Sequence, residues 1–115
     1  MTVSDTTLHE VLIYEDGQGP PRFHPASLPV GKGDEVVWRN TTDCPALVFF
    51  PPRTARIFEG EPRHLDVPGG KEGRTLTVEN DADQGAYPYT GSLDCERRPS
   101  VFIVGNSNPV IIVRE

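Results

Sequence analysis

The chain has 115 residues, the size of one domain with a single small core. Its 11 glycines and 12 prolines make up about a fifth of it, just below the level at which disorder becomes the expectation, and they demand many turns. Seventeen acidic residues against eleven basic ones give a formal charge of -6 and an isoelectric point near 5.0, which opposes phosphate backbones and anionic surfaces, so neither nucleic acid nor membrane is an expected partner.

No apolar run is long enough to span a bilayer, and the opening MTVSDTTLHE lacks the basic and apolar regions of a signal peptide. The chain as written reads as cytoplasmic; a periplasmic or secreted chain whose leader had been removed would read the same. Apolar residues recur at every second position in short bursts bounded by Gly, Pro, Asn and Asp, the mark of strands. The first strand is expected at 7–14. It leads into the loop 15–21, where Gly17, Gly19, Pro20 and Pro21 forbid regular pairing. Residues 1–22 are thus an N-terminal strand and Gly/Pro loop of a single domain spanning 1–115. Strands follow at 25–30 and 35–40, separated by the turn Gly31-Lys32-Gly33-Asp34, and then at 46–50. The stretch 51–61 has room for one short helical turn. Further strands are expected at 64–67, 74–78, 85–89 and 109–114, with a turn at Pro68-Gly69-Gly70. The run 101–104, Val-Phe-Ile-Val, reads as core that adds a strand or forms a hairpin with 109–113. Exposed, it would be an oligomer edge, so the expected state is a monomer or a weak homodimer. Seven to eight short strands without a helical stripe or repeat imply an all-β sandwich or barrel.

The stretch Phe23-His24-Pro25, and after it Gly33-Asp34-Glu35-Val36-Val37-Trp38-Arg39-Asn40, resembles the opening of the cupredoxins. Their pattern is F-x-P, a short strand, then G-D-x-V-x-W-x-N. Leu65-Asp66-Val67-Pro68-Gly69-Gly70 followed by Leu76-Thr77-Val78 resembles the family's proline-glycine turn between strands. Gly85-Ala86-Tyr87-Pro88-Tyr89 resembles its G-x-Y-x-Y strand, and Pro109-Val110-Ile111-Ile112-Val113 its closing strand. The resemblance covers most of the chain from Phe23 onward and rests on the order and spacing of the pieces. It implies a cupredoxin-like Greek-key β-sandwich.

Cupredoxins hold copper at one end of the sandwich with two histidines, a cysteine and a weak axial ligand, usually methionine. The resemblance places Ala46 where the first histidine stands and Gly91 where the cysteine stands. Neither residue binds copper. The three histidines are His9, His24 and His64, all before Gly91, and the only methionine is Met1. The type 1 ligand set is absent, no cofactor is expected, and electron transfer by the family route goes with it. Function then has to be argued from the site rather than from the fold.

On the same resemblance, Cys44 and Cys95 lie in loops at the end where copper would sit. An even count permits a disulfide, which would close a loop of about 50 residues at a gain of roughly 4 kcal/mol in the chain-entropy account. That structural role is the preferred reading. Two alternatives stay open: unbridged thiols, as a reducing cytosol maintains, and a soft-metal site using both thiolates with His64 or Asp94. No C-x-x-C spacing supports the metal option.

His9, His24 and His64 read as polar-face residues, with His24 facing away from Phe23. No Gly-x-Ser-x-Gly, His-Glu-x-x-His or similar spacing occurs, so no catalytic residues and no enzyme activity are expected. Arg53, Arg56, Arg63, Arg97 and Arg98 concentrate in 51–63 and 96–99, with Phe49 and Phe50 nearby. Arginine among aromatics is typical of interface centres. Phe50, Arg53, Arg56, Arg97 and Arg98 are therefore candidates for binding an unidentified protein partner. The interleaved Glu59, Glu61, Asp94 and Glu96 supply the plainer alternative of a self-paired, solvated surface. Asn40-Thr41-Thr42 matches a glycosylation sequon, a motif common by chance. The reading is a copper-free cupredoxin-like domain acting as a non-enzymatic binding or accessory module, a role the resemblance permits because copper-free relatives such as ephrin ectodomains recognise proteins through loops. The alternative is a metal or electron-transfer protein ligating through Cys44, Cys95 and a histidine.

Overall fold

The computed structural model describes residues 6–15, 17, 19–96, 101–103 and 109–114. Among the described residues, eleven strands and one short helix run in the order β1 (Leu8–Tyr14), β2 (Arg22–His24), β3 (Ser27–Val30), β4 (Glu35–Asn40), β5 (Ala46–Phe49), α1 (Pro52–Ala55), β6 (His64–Val67), β7 (Leu76–Thr77), β8 (Gly85–Pro88), β9 (Thr90–Leu93), β10 (Val101–Phe102) and β11 (Val110–Val113). They form three hydrogen-bonded sheets ordered β2-β1-β4-β7, β10-β9-β5-β6 and β3-β11-β8. Only Tyr89 separates β8 from β9, so one continuous stretch of chain links the last two sheets. β1 lies parallel to β4, and β3 parallel to β11, while the other pairs are antiparallel. This is an all-β sandwich.

Alternation in the sequence decides which side of each strand is dry. In β6, Leu65 and Val67 are buried while His64 and Asp66 face water, and in β5 Ala46 and Val48 are buried while Phe49 is exposed. The inward residues meet around Trp38, which is fully buried on β4. Its ring stands edge-on to Phe50 and Tyr89, each with centroids 5.5 Å away, and Phe23 meets Tyr89 at 5.0 Å. Contacts of this geometry contribute about 0.5–1.5 kcal/mol each beyond burial itself.

The expected strands at 35–40 and 64–67 keep their bounds, and the others shorten by one to three residues. The extra strand allowed at 101–104 is β10, and two strands, β2 and β9, have no counterpart in the expected set. β2 is brief, and Pro25 follows it directly, where the chain leaves β1 and crosses to pair through β3 with β11. β9 reads Thr-Gly-Ser-Leu, too small and polar to show alternation, and is held by β5 on one side and β10 on the other. The hairpin of 101–104 with 109–113 does not form: β10 pairs with β9, and β11 pairs with β3 and β8. Val104 lies outside the described residues. The short turn allowed in 51–61 is α1, with Pro52 at its first position, where a missing N–H costs nothing. The Thr54 hydroxyl donates to the Pro88 carbonyl at 2.6 Å and docks α1 on β8.

Asp34, buried in the turn before β4, ties β1 to the sandwich. Its carboxylate accepts from His9 Nε2 at 2.8 Å, the Gly31 amide at 2.8 Å and the Thr7 amide at 3.2 Å. A carboxylate only accepts, so His9 carries its proton on Nε2. Burial alone pushes the Asp34 carboxyl up, but the His9 hydrogen bond, the two amides and the charge of His9 together hold it below the usual carboxylate range. A depressed carboxyl stabilises the fold fully above its unfolded value and loses that contribution as pH falls through its folded value. Asp34→Asn is expected to lower stability by about 1–3 kcal/mol at neutral pH, on the scale of charge-assisted bonds to a buried group, and to flatten the acid limb of the stability profile. Urea unfolding of both proteins at neutral and acid pH checks both effects.

Candidate functional site

The loop between β4 and β5 is organised by one side chain. Asn40 is buried, and its Nδ2 donates to the Cys44 carbonyl at 2.7 Å and to the Val67 carbonyl at 3.1 Å. Its Oδ1 accepts from the Thr42 amide at 2.9 Å and the Thr42 hydroxyl at 2.7 Å, and that hydroxyl accepts from the Cys44 amide at 3.2 Å. Every donor and acceptor of the Asn40 amide is engaged, so the sequon it heads is closed off inside the fold. Asn40→Ala would strand several of these buried groups at once, and about 3 kcal/mol of destabilisation is expected on that ground. Comparing its urea midpoint with that of Thr41→Ala, exposed in the same loop, checks it.

The network fixes Cys44 beside Cys95, which lies in the core just after β9. The two form a disulfide with Cα atoms 5.0 Å apart, across a sequence separation of 51. Next to it the Asp94 amide donates to the Pro45 carbonyl at 2.9 Å, so the two segments also meet through their backbones. The turn after β6 closes the same end. A Cβ on Gly69 would stand 2.6 Å from the Asp43 carbonyl oxygen, so only glycine allows this approach.

Inside this end the strands are filled to contact. Ala46 is buried and sits in register between Val67 on β6 and Leu93 on β9. Gly91 pairs with Val48, and a Cβ on it would stand 2.8 Å from Phe23 Cζ, 2.9 Å from the Leu47 carbonyl oxygen and 3.3 Å from Ile103 Cδ1. Deeper in the core, burial pushes the Tyr89 phenol well above its usual value; the Trp38 indole lies close enough to oppose this slightly, yet neither polar atom has a hydrogen-bond partner of good geometry.

On the flank, the Arg53 guanidinium lies 4.6 Å from the Tyr87 ring centroid and donates to the Ala86 carbonyl at 3.1 Å. Arg53, Arg56, Glu61, Glu79, Asp83 and Tyr87 help line an open cleft of about 720 Å³. Phe50 does not belong to this surface. It is 2% exposed and packs on Trp38 and Phe58, because the chain turns inward after β5; Phe49, 39% exposed, is the outward aromatic. Arg97 and Arg98 lie outside the described residues.

No protein-family model matches the chain, and no curated protein matches it. Solved structures do. An oxidised amicyanin mutant is 22% identical with a TM-score of 0.53, over 98% of this chain and 86% of its own. A reduced amicyanin mutant is 23% identical with a TM-score of 0.54, over 97% and 86%. A purple cupredoxin from Nitrosopumilus maritimus is 16% identical with a TM-score of 0.53, over 92% and 99%. The fold is that of the cupredoxins.

The residues at the cupredoxin copper end do not fit a type 1 centre. Ala46 and Gly91 offer no donor atom, and the space a side chain would need at Gly91 is taken by Phe23, Leu47 and Ile103. The alternative set of Cys44, Cys95 and His64 does not assemble either. Both sulfurs are bonded to one another, and His64 stands opposite Phe49, at the far end of β6 from the Val67 that pairs with Ala46. Among the described residues no three His, Cys, Asp or Glu side chains are grouped to hold a metal. His24 faces away from buried Phe23, as alternation predicts. His9 is more than a polar-face residue, since it pairs with Asp34, a partner 25 positions away that strand alternation cannot reveal. Among the described residues no helix is long and apolar enough to cross a membrane.

Proposed function

We propose that this cupredoxin-like domain carries no type 1 copper and acts as a non-enzymatic binding or accessory module for a protein partner. The observation that carries the reading is the closed space at Gly91: Phe23 Cζ and the Leu47 carbonyl lie 2.8 and 2.9 Å from where a ligand side chain would begin. The loops that a metal would tie together are tied by Cys44 and Cys95. The binding face is the cleft where Arg53, stacked on Tyr87, stands with Arg56 among acidic residues. Arginine held against an aromatic ring is the kind of anchor that dominates interface energetics. The Cys44–Cys95 bridge also suits a domain working in an oxidising compartment, periplasmic or secreted.

Elemental analysis of protein expressed in copper-supplemented medium tests the first half. No stoichiometric copper and no visible thiolate-to-copper band are expected, and either one would overturn the reading. Affinity capture of a partner, compared with Arg53→Glu and Arg56→Glu, tests the second half. A partner held equally well by both variants would remove this face from the account.

A further inference from the structure

Cys44 and Cys95 are not held together by their bridge alone. Cys44 is fixed through its own backbone, by Asn40 Nδ2 at 2.7 Å on its carbonyl and the Thr42 hydroxyl at 3.2 Å on its amide. Cys95 is 8% exposed and packed in the core, and the preceding Asp94 amide is anchored on the Pro45 carbonyl at 2.9 Å. Neither anchor involves a sulfur atom. Opening the disulfide would therefore leave two thiols on a prearranged frame with Cα atoms 5.0 Å apart, the spacing at which two cysteines can grip one ion. Cys44 is the more exposed of the two. Asp66 lines one shallow pocket with Pro45 and Ala46, beside the same pair of segments.

We infer that the Cys44–Cys95 pair, once reduced, is a two-thiolate site for a soft monovalent cation of the Cu(I) or Ag(I) class, and that the disulfide closes the site. This goes beyond the binding-module reading and uses neither Ala46 nor Gly91. In the opening step a dithiol reductant gives two electrons and two protons to the Sγ–Sγ bond and itself becomes a disulfide, leaving two protein thiols. The cation then displaces both thiol protons and forms two metal–sulfur bonds. Thiolates select soft ions, and closed-shell monovalent ions accept two ligands where Zn²⁺ seeks four. A pair of thiolates alone is therefore matched to the monovalent class.

The test uses the full chain, reduced with a water-soluble phosphine, desalted without oxygen, and titrated with Cu(I) held by a chromogenic chelator. The reduced protein is expected to withdraw one equivalent of Cu(I) and keep the circular-dichroism signature of the oxidised protein. The disulfide form is expected to withdraw none, and Cys95→Ser and Cys44→Ser, each reduced, to bind at least a hundredfold more weakly. Ag(I), which is redox-inert here, is expected to give the same stoichiometry. Reduced protein that leaves the chelator intact, that binds equally well as the disulfide, or that loses its strand signature on reduction overturns the inference. Copper bound stoichiometrically by the oxidised protein would instead defeat the copper-free reading above, so the two failures are distinguishable.

Discussion

Replacing Cys44 and Cys95 together with serine is expected to lower the unfolding free energy by about 4 kcal/mol, the value the chain-entropy account gives for a loop of this length. The bridge joins positions separated by 51 residues and closes off the whole of β5 through β9 in the unfolded chain. Native proteins hold only about 5–15 kcal/mol in reserve, so this is a large share for a small domain. The double variant should nevertheless fold, because Asn40 and the Asp94–Pro45 contact still bring the two segments together. Urea unfolding of the oxidised protein against the double variant measures the difference. A loss below about 1 kcal/mol, the size of one ordinary hydrogen bond, would mean that the bridge does not hold this end of the sandwich.

The second large effect concerns Gly91. Its φ lies outside the left-handed region, so backbone freedom is not the reason for glycine here. The reason is space. Adding one methyl drives a carbon into the Phe23 ring and the Leu47 carbonyl, and that carbonyl belongs to the β5 strand paired with β9. Overpacking a filled core costs about 1–3 kcal/mol, and a backbone neighbour that cannot turn aside puts Gly91→Ala at the upper end. Gly91→Cys meets the same obstruction, so adding it together with Ala46→His is not expected to assemble a copper centre. Phe23→Leu removes the nearer obstacle and should recover part of the loss, which a double-mutant cycle would show as a favourable coupling. Unchanged stability in Gly91→Ala would show that the space is open after all.

The sequence makes the outline of this molecule readable because burial writes itself into alternation. Leu65 and Val67 against His64 and Asp66 announce β6, and the G-D-x-V-x-W-x-N run announces β4 around the buried Trp38. β9 escapes because its identity lies in what its neighbours require. Glycine at 91 reads only as a missing ligand until Phe23 and Leu47 are seen against it. The resemblance places the two cysteines at one end, and the structure joins them. What fixes Cys44 is Asn40, which in the sequence is the last residue of a familiar strand motif and the head of a chance sequon. Its partners Thr42, Cys44 and Val67 are contributed by a loop and a different sheet. Phe49 and Phe50 are chemically identical, and only the end of β5 decides which one turns inward. The Arg53–Tyr87 stack joins residues from α1 and β8, a pairing set by the Thr54–Pro88 contact that docks the helix. Local pattern thus carries strand faces, while sites depend on long-range partners that one sequence does not name.

We propose that packing at Gly91 and the Cys44–Cys95 disulfide close the copper end of this cupredoxin fold. The most direct test is the thermal midpoint of the oxidised protein with and without one equivalent of Cu(II), with the visible spectrum recorded on the same samples. A ligand that binds the native state at 100 times its dissociation constant stabilises it by about 2.7 kcal/mol, a shift of many degrees for a domain of this size. An unchanged midpoint and a colourless solution are expected. A raised midpoint that saturates at one copper per chain would contradict this closure.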